Sequence, residues 1–137
     1  MSRNLLTGLT LAAAIGLTPL MAAPAQAAGG VQPSYVDLSL SVQSSTADGQ
    51  LLPAEYGDLS CREGDDHNAP LEACAELAAV NGDAGDLNVN PDRACPLYYA
   101  PVTVTLKGWW GSEYKSFTKT YGNSCELANT TGPVFSI

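Results

Sequence analysis

The sequence has one histidine, His67, and no two cysteines in a CxxC arrangement. A hydrolase needs a nucleophile with a general base. A lone histidine in an acidic turn instead predicts a solvated turn residue. One histidine also cannot complete a Cys/His zinc site at the usual spacings, and the run Asp65, Asp66, His67 lacks the spacing of a calcium loop. We therefore expect a protein that is not an enzyme and that has no metal or other cofactor.

Basic residues and long apolar runs are also scarce. The chain has 6 basic and 14 acidic residues, a balance that argues against nucleic acid or an anionic membrane as a partner. The apolar run from Leu5 to Leu20 is shorter than the roughly 20 residues that a membrane-spanning helix needs. These features exclude the nucleic-acid-binding and membrane-anchored classes from our expectations.

The N-terminus has the features of a signal peptide. Arg3 gives a basic start, the apolar run follows, and Ala25-Gln26-Ala27 is the small-x-small pattern that signal peptidase cleaves. We expect residues 1–27 to be a signal peptide and residues 28–137 to form one secreted, extracellular domain. Without Arg3, five basic and 14 acidic residues remain, a net charge of −9.

Four cysteines remain in that domain: Cys61, Cys74, Cys95 and Cys125. An even number of cysteines in a secreted chain of this size predicts two disulfides. Four cysteines allow three pairings, and the spacing alone does not choose among them.

The hydrophobic pattern predicts an α+β domain. Strict apolar–polar alternation predicts strands at residues 36–42 and 102–109, an aromatic and threonine-rich return at 114–121 completes a hairpin, and weaker strands are expected within 51–60 and at 134–137. One helix is expected from Pro70 to Gly82 with Asn68 as its cap, and its helical spacing should point Cys74 into the core. A short helix is expected after Asn123, because Asn123 and Glu126 resemble a capping box. We expect an antiparallel sheet of four to five strands with two helices.

The segment from Ala94 to Pro101 has an unusual composition. Leu97, Tyr98 and Tyr99 stand in a row between two prolines, and a half-cystine precedes them. Each proline fixes its own φ and favours an extended residue before it. The segment is either a strand that enters the core or a rigid, extended loop that offers Leu97 outward. The second form suits the substrate-binding cleft of a protease, which binds extended chains.

Three segments are similar to the Streptomyces subtilisin inhibitor family: residues 72–83, which begin EACAELAAV; residues 95–102, CPLYYAPV; and residues 123–127, NSCEL. The resemblance extends from about residue 34 to residue 137. It implies secreted inhibitors of subtilisin-like serine proteases that are typically homodimers. It also implies the disulfides Cys61–Cys74 and Cys95–Cys125.

The resemblance places the reactive bond between Leu97 and Tyr98. The neighbouring loop residues Ala94, Cys95, Pro96, Tyr99 and Ala100 would then contact the protease. An apolar residue that is unbranched at Cβ, such as Leu97, fits subtilisin-like enzymes and, as further targets, chymotrypsin-like enzymes. The alternative function is a secreted, disulfide-stabilised binding or scaffold module without inhibitory activity.

Asn129-Thr130-Thr131 matches a glycosylation sequon, which is common by chance. Trp109 and Trp110 are adjacent in a predicted strand, so they should point to opposite faces, with one of them in the core.

Overall fold

The computed structural model describes residues 30–137, and the predicted signal peptide lies outside the described residues. Four strands form one antiparallel sheet in the order β2-β1-β3-β4. The elements are β1 (Val36–Ser44), β2 (Glu55–Leu59), α1 (Pro70–Ala79), β3 (Val102–Trp110), β4 (Glu113–Tyr121) and α2 (Ser124–Thr131), with a short 3-10 turn at Ala84–Asp86. The predicted α+β class is confirmed.

The core lies on one face of this sheet. Alternation along β1 and β3 buries every second side chain, because successive residues of a strand point to opposite faces. Cys74 and Leu77 of α1 are fully buried against that face, which confirms the predicted inward direction of Cys74. The buried strand residues are Val36, Leu38, Leu40 and Val42 of β1, and Val102, Val104, Leu106 and Trp110 of β3.

The opposite face of the sheet, called the outer face below, carries cross-strand pairs of polar residues. Thr103 faces Thr120 across β3 and β4, with their hydroxyl oxygens 2.7 Å apart, and Thr105 and Thr118 form the next such pair at 3.1 Å. Cross-strand hydroxyl pairs of this kind stabilise a sheet modestly. Trp109 extends the same surface and is partly exposed, whereas its neighbour in the sequence is core, as the alternation predicts.

The C-terminal residues 134–137 do not form the predicted strand. Gly132 has a φ of +57°, and the turn bonds Val134 N–H to Thr131 O (3.3 Å) and Ser136 N–H to Pro133 O (2.9 Å) follow it. Val134 is nevertheless fully buried. The apolar pattern therefore indicated burial correctly and strand pairing wrongly.

His67 is buried, contrary to the expectation of a solvated turn residue. Its Nδ1 accepts a hydrogen bond from the Ala69 N–H at 3.0 Å, so its Nε2 carries the proton and donates to the Val134 carbonyl oxygen at 3.0 Å. The predicted cap Asn68 is exposed, and Ala69 occupies the N-cap position of α1 without a side-chain cap. The histidine thus satisfies a backbone N–H beside the helix start and ties this region to the C-terminal turn.

Helix α1 ends at Ala79, three residues before the predicted end at Gly82, and Gly82 completes the turn that follows. Its φ is +75°, its N–H donates to Leu77 O at 2.7 Å, and a Cβ at this position would stand 2.4 Å from the Trp110 ring. The glycine therefore permits both the left-handed turn and the burial of the indole ring.

We expect Gly82→Ala to lower the free energy of unfolding by about 2–5 kcal/mol, because it combines left-handed strain with overpacking against Trp110. Gly49→Ala is the matched control, since Gly49 has a φ of +86° and open space around its Cβ position. It should cost about 1–2 kcal/mol from strain alone. Urea unfolding of both variants checks this, and equal losses would show that contact with Trp110 adds nothing.

Candidate functional site

The segment from Ala94 to Pro101 is an exposed loop that leads into β3. Leu97 is fully exposed, Tyr99 is 67% exposed and Tyr98 is 48% exposed. A row of apolar side chains in water is unfavourable by itself. Of the two forms that the composition left open, the core strand is therefore wrong, and the segment is a loop that offers Leu97 outward.

Both ends of this loop are fixed to the body of the protein. The disulfide Cys95–Cys125 attaches the start of the loop to α2. The Ala100 N–H donates to Gly122 O at 2.9 Å, and Pro101 O accepts from the Ser45 N–H of the β1 end at 2.8 Å. The loop is thus anchored covalently on one side of Leu97 and by main-chain bonds on the other.

Asn123 holds the middle of the loop. Its amide nitrogen Nδ2 donates to Tyr98 O at 2.9 Å and to Pro96 O at 3.3 Å, the carbonyls of the two residues that flank Leu97. Its Oδ1 accepts from the Glu126 N–H at 3.0 Å, which caps α2 as predicted. Asn123 is 1% exposed, so these bonds form away from competing water.

The loop-holding role of Asn123 was not predicted from the sequence. The capping pattern explains its oxygen, and only the fold brings its nitrogen under the loop. The partner of the predicted capping box also differs, because Glu126 Oε2 accepts from the Gly122 N–H at 2.9 Å. An asparagine that caps a helix has a free amide donor, and this donor was the available signal.

The second disulfide, Cys61–Cys74, attaches the chain after β2 to α1 in the core and lies outside the loop. The structure thus has the pairing that the family resemblance implies. The two bridges close chain separations of 13 and 30 residues. In the loop-entropy treatment such bridges contribute about 3 and 4 kcal/mol to stability.

The acidic turn before α1 is structural. Asp65 accepts from the Ser60 N–H at 2.8 Å and from the Arg62 N–H at 3.3 Å. Burial alone would raise the pKa of Asp65, but the hydrogen bonds from Ser60 and the nearby backbone hold it below its usual value. Within residues 30–137, no three His, Cys, Asp or Glu side chains gather as metal ligands would, and no helix is long and apolar enough to cross a membrane.

The sequon asparagine, Asn129, is buried. Its Nδ2 donates to Arg93 O at 2.7 Å, so the atom that would bear a glycan is already bonded inside the fold. This finding excludes glycan attachment to the folded chain at Asn129.

Comparison with known proteins places the chain in a family. The profile of the SSI family, described as subtilisin inhibitor-like, matches residues 32–123. The subtilisin inhibitor of Streptomyces albogriseolus is 33% identical over 140 residues, covering 95% of this chain and 97% of the relative. Subtilisin inhibitor-like protein 5 of Streptomyces fradiae is 47% identical over 73 residues, or 53% of this chain and 68% of the relative. The chain belongs to the subtilisin inhibitor-like family.

A solved structure supports the fold. It is the crystal structure of Streptomyces caespitosus sermetstatin in complex with Bacillus licheniformis subtilisin, with a TM-score of 0.51 and 24% identity. The alignment covers 74% of this chain and 97% of that one. The relatives are named as inhibitors of proteases, which confirms the expectation that the chain is not an enzyme.

The two roles of Asn123 can be separated by substitution. Asn123→Ser keeps a capping oxygen but loses the amide donor, whereas Asn123→Ala loses both. We expect the alanine variant to be less stable than the serine variant by about 1 kcal/mol, the usual value of a helix cap. Both variants should free the loop to the same degree. NMR relaxation of the amides at residues 97–99 and urea unfolding measure the two effects, and a loop as rigid as in the parent would refute the holding role.

Proposed function

We propose that this protein is a secreted inhibitor of subtilisin-like serine proteases, with the Leu97–Tyr98 bond presented to the enzyme as a substrate. One observation above all supports the proposal. Leu97 is fully exposed, while the carbonyls of its two neighbours are held by one buried amide. The side chain is free for a partner, and the backbone around it is fixed.

This geometry suits the way in which proteases bind their substrates. The enzyme accepts an extended chain, partly by strand-like main-chain pairing, and places one side chain in its primary pocket. A flexible peptide loses conformational entropy when it is ordered there, and a loop already held in place loses little. Preorganisation of the loop therefore raises affinity without new contacts.

The same attachments explain why the complex would turn over slowly. If the bond is cut, the end at Leu97 stays attached through Cys95–Cys125 and through Pro96 O, and the end at Tyr98 stays attached through its carbonyl to Asn123. The new amine remains near the acyl carbon that it has just left. Religation then competes with hydrolysis, and the inhibitor is released intact.

The identity of Leu97 sets the expected specificity. An apolar side chain that is unbranched at Cβ fits the hydrophobic primary pocket of subtilisin-like enzymes, and chymotrypsin-like enzymes are proposed as further targets. It offers no cation to the carboxylate at the base of a trypsin-like pocket. Arg93 does not supply this cation as an alternative reactive-bond residue. Its carbonyl oxygen accepts a hydrogen bond from Asn129, whereas the carbonyl of a reactive bond must be free to enter the oxyanion hole of the protease.

We expect Leu97→Lys to create strong trypsin inhibition while subtilisin inhibition is partly kept, because a long side chain can extend to water from an open pocket. Leu97→Gly should weaken inhibition of subtilisin by about 2–4 kcal/mol. Leu71→Lys, at another exposed leucine, in α1, is the control and should leave inhibition of all three enzymes unchanged. Inhibition constants against subtilisin, chymotrypsin and trypsin test the set. A parent that inhibits none of them would favour the binding-module alternative.

Secretion is part of the proposal. The support is the N-terminal pattern of residues 1–27 together with the two disulfides, since such bonds persist in oxidising compartments outside the cytosol.

A homodimer through the outer face is likewise proposed, as the family resemblance implies. Trp109 and Tyr114 form an edge-to-face pair there, with ring centroids 5.4 Å apart, and both side chains are about half exposed. Aromatic residues of this kind are enriched at protein interfaces.

We expect light scattering to give twice the monomer mass at micromolar concentration. Trp109→Lys should convert the protein to a monomer, whereas Leu71→Lys, at an exposed leucine of α1, should leave the dimer intact. A parent that is monomeric under these conditions would refute the dimer and leave the inhibitory function untouched.

A further inference from the structure

Asn129 lies in the last turn of α2 and faces the loop arm, which we define as residues 93–97. The residue is 8% exposed. Nδ2 donates to Arg93 O at 2.7 Å and lies 3.0 Å from the Cys95 sulfur. An amide nitrogen has two hydrogens, so one side chain can make both contacts at once.

The loop arm needs more than its disulfide to keep a fixed direction. A disulfide limits the distance between two chains, but the attached chain can still turn about the single bonds of the cysteine side chains. The bond from Asn129 to Arg93 adds a second attachment two residues from Cys95. Two attachments fix direction as well as position. The chain just before the loop arm is bonded to the same residue of α2, because the Asn90 N–H donates to Asn129 O at 2.8 Å.

The reaction at the loop depends on that direction. When a protease serine attacks, the base of the protease takes the proton of its hydroxyl and the serine oxygen bonds to the Leu97 carbonyl carbon. The bond to Tyr98 then breaks, and the Tyr98 nitrogen takes that proton from the base. Religation is the reverse: the amine attacks the ester and gives a proton to the base, and the serine oxygen leaves and takes that proton back. The amine reaches the acyl carbon only while the loop arm stays aligned.

We propose that Asn129 is a positioning residue for inhibition, which holds the loop arm in place while the Leu97–Tyr98 bond is open. This inference rests on the proposed function. Asn123 fixes the two carbonyls beside the bond, and Asn129 fixes the arm that leads to it. In the sequence Asn129 matches a glycosylation sequon, and its burial rules out that role in the folded chain.

The test compares Asn129→Ala with Thr131→Val. Thr131 is fully buried in the same helix, and its hydroxyl donates to Leu127 O at 2.9 Å, within α2. Each variant therefore loses hydrogen bonding of a buried α2 side chain, and only the first loses a hydrogen bond to the loop arm. With excess subtilisin, hydrolysis of the Leu97–Tyr98 bond, followed by mass spectrometry, should be about tenfold faster in Asn129→Ala, the effect expected from one lost hydrogen bond. Thr131→Val should be cut at the rate of the parent.

The outcomes separate the inference from the proposed function. A parent chain that does not inhibit subtilisin overturns the proposed function. A parent that inhibits, with Asn129→Ala cut no faster, overturns only the role of Asn129. Equal acceleration in both variants also overturns that role, because it would reflect general loss of stability.

A second measurement uses the parent protein and does not depend on whether a variant folds. The side-chain amide protons of Asn129 should exchange slowly with solvent in the intact inhibitor and also after the Leu97–Tyr98 bond is cut. Exchange as fast as that of an exposed asparagine in the cut form would overturn the inference.

Discussion

The loop depends on hydrogen bonds from side-chain amides of a short helix to main-chain carbonyls. Asn123 caps α2 through its oxygen and holds the loop through its nitrogen, so the helix and the loop are stabilised by one residue. Because Asn123 is buried, loss of its bond to the loop or of its bond to the helix would leave a polar group without a hydrogen-bond partner in a place that water enters poorly. An exposed leucine can therefore be kept in one position without any packing of its own side chain.

The sheet supplies the rigid base for this arrangement. The loop leads directly into β3, and Gly122 directly follows the end of β4. Because Val102 pairs with Tyr121, the carbonyl oxygen of Gly122 lies where it can accept a hydrogen bond from the Ala100 N–H. Tyr121 is buried at this point, and burial raises the pKa of its hydroxyl above its ordinary value. The position of the loop is thus a consequence of strand pairing as much as of the disulfide.

Much of the fold could be predicted because it rests on local patterns. Alternation gave β1 and β3, and the direction of Cys74 followed from helical spacing. The pattern at residues 134–137 was ambiguous, since an apolar run is compatible with burial in a turn as well as in a strand. The burial of His67 and the loop contacts of Asn123 and Asn129 could not be predicted, because their partners lie 25 to 67 residues away in the chain. Such contacts are decided by tertiary structure.

The loop is held through main-chain atoms on both sides of Leu97, and this has a consequence for how the protein can change. The scaffold contacts carbonyl oxygens that every residue possesses, whereas the side chain at position 97 points entirely into water. Substitution at this position should therefore leave folding almost unaffected while it alters the choice of partner. Selection can act on target preference without a matching change elsewhere in the molecule, and one backbone can give rise to inhibitors with distinct preferences.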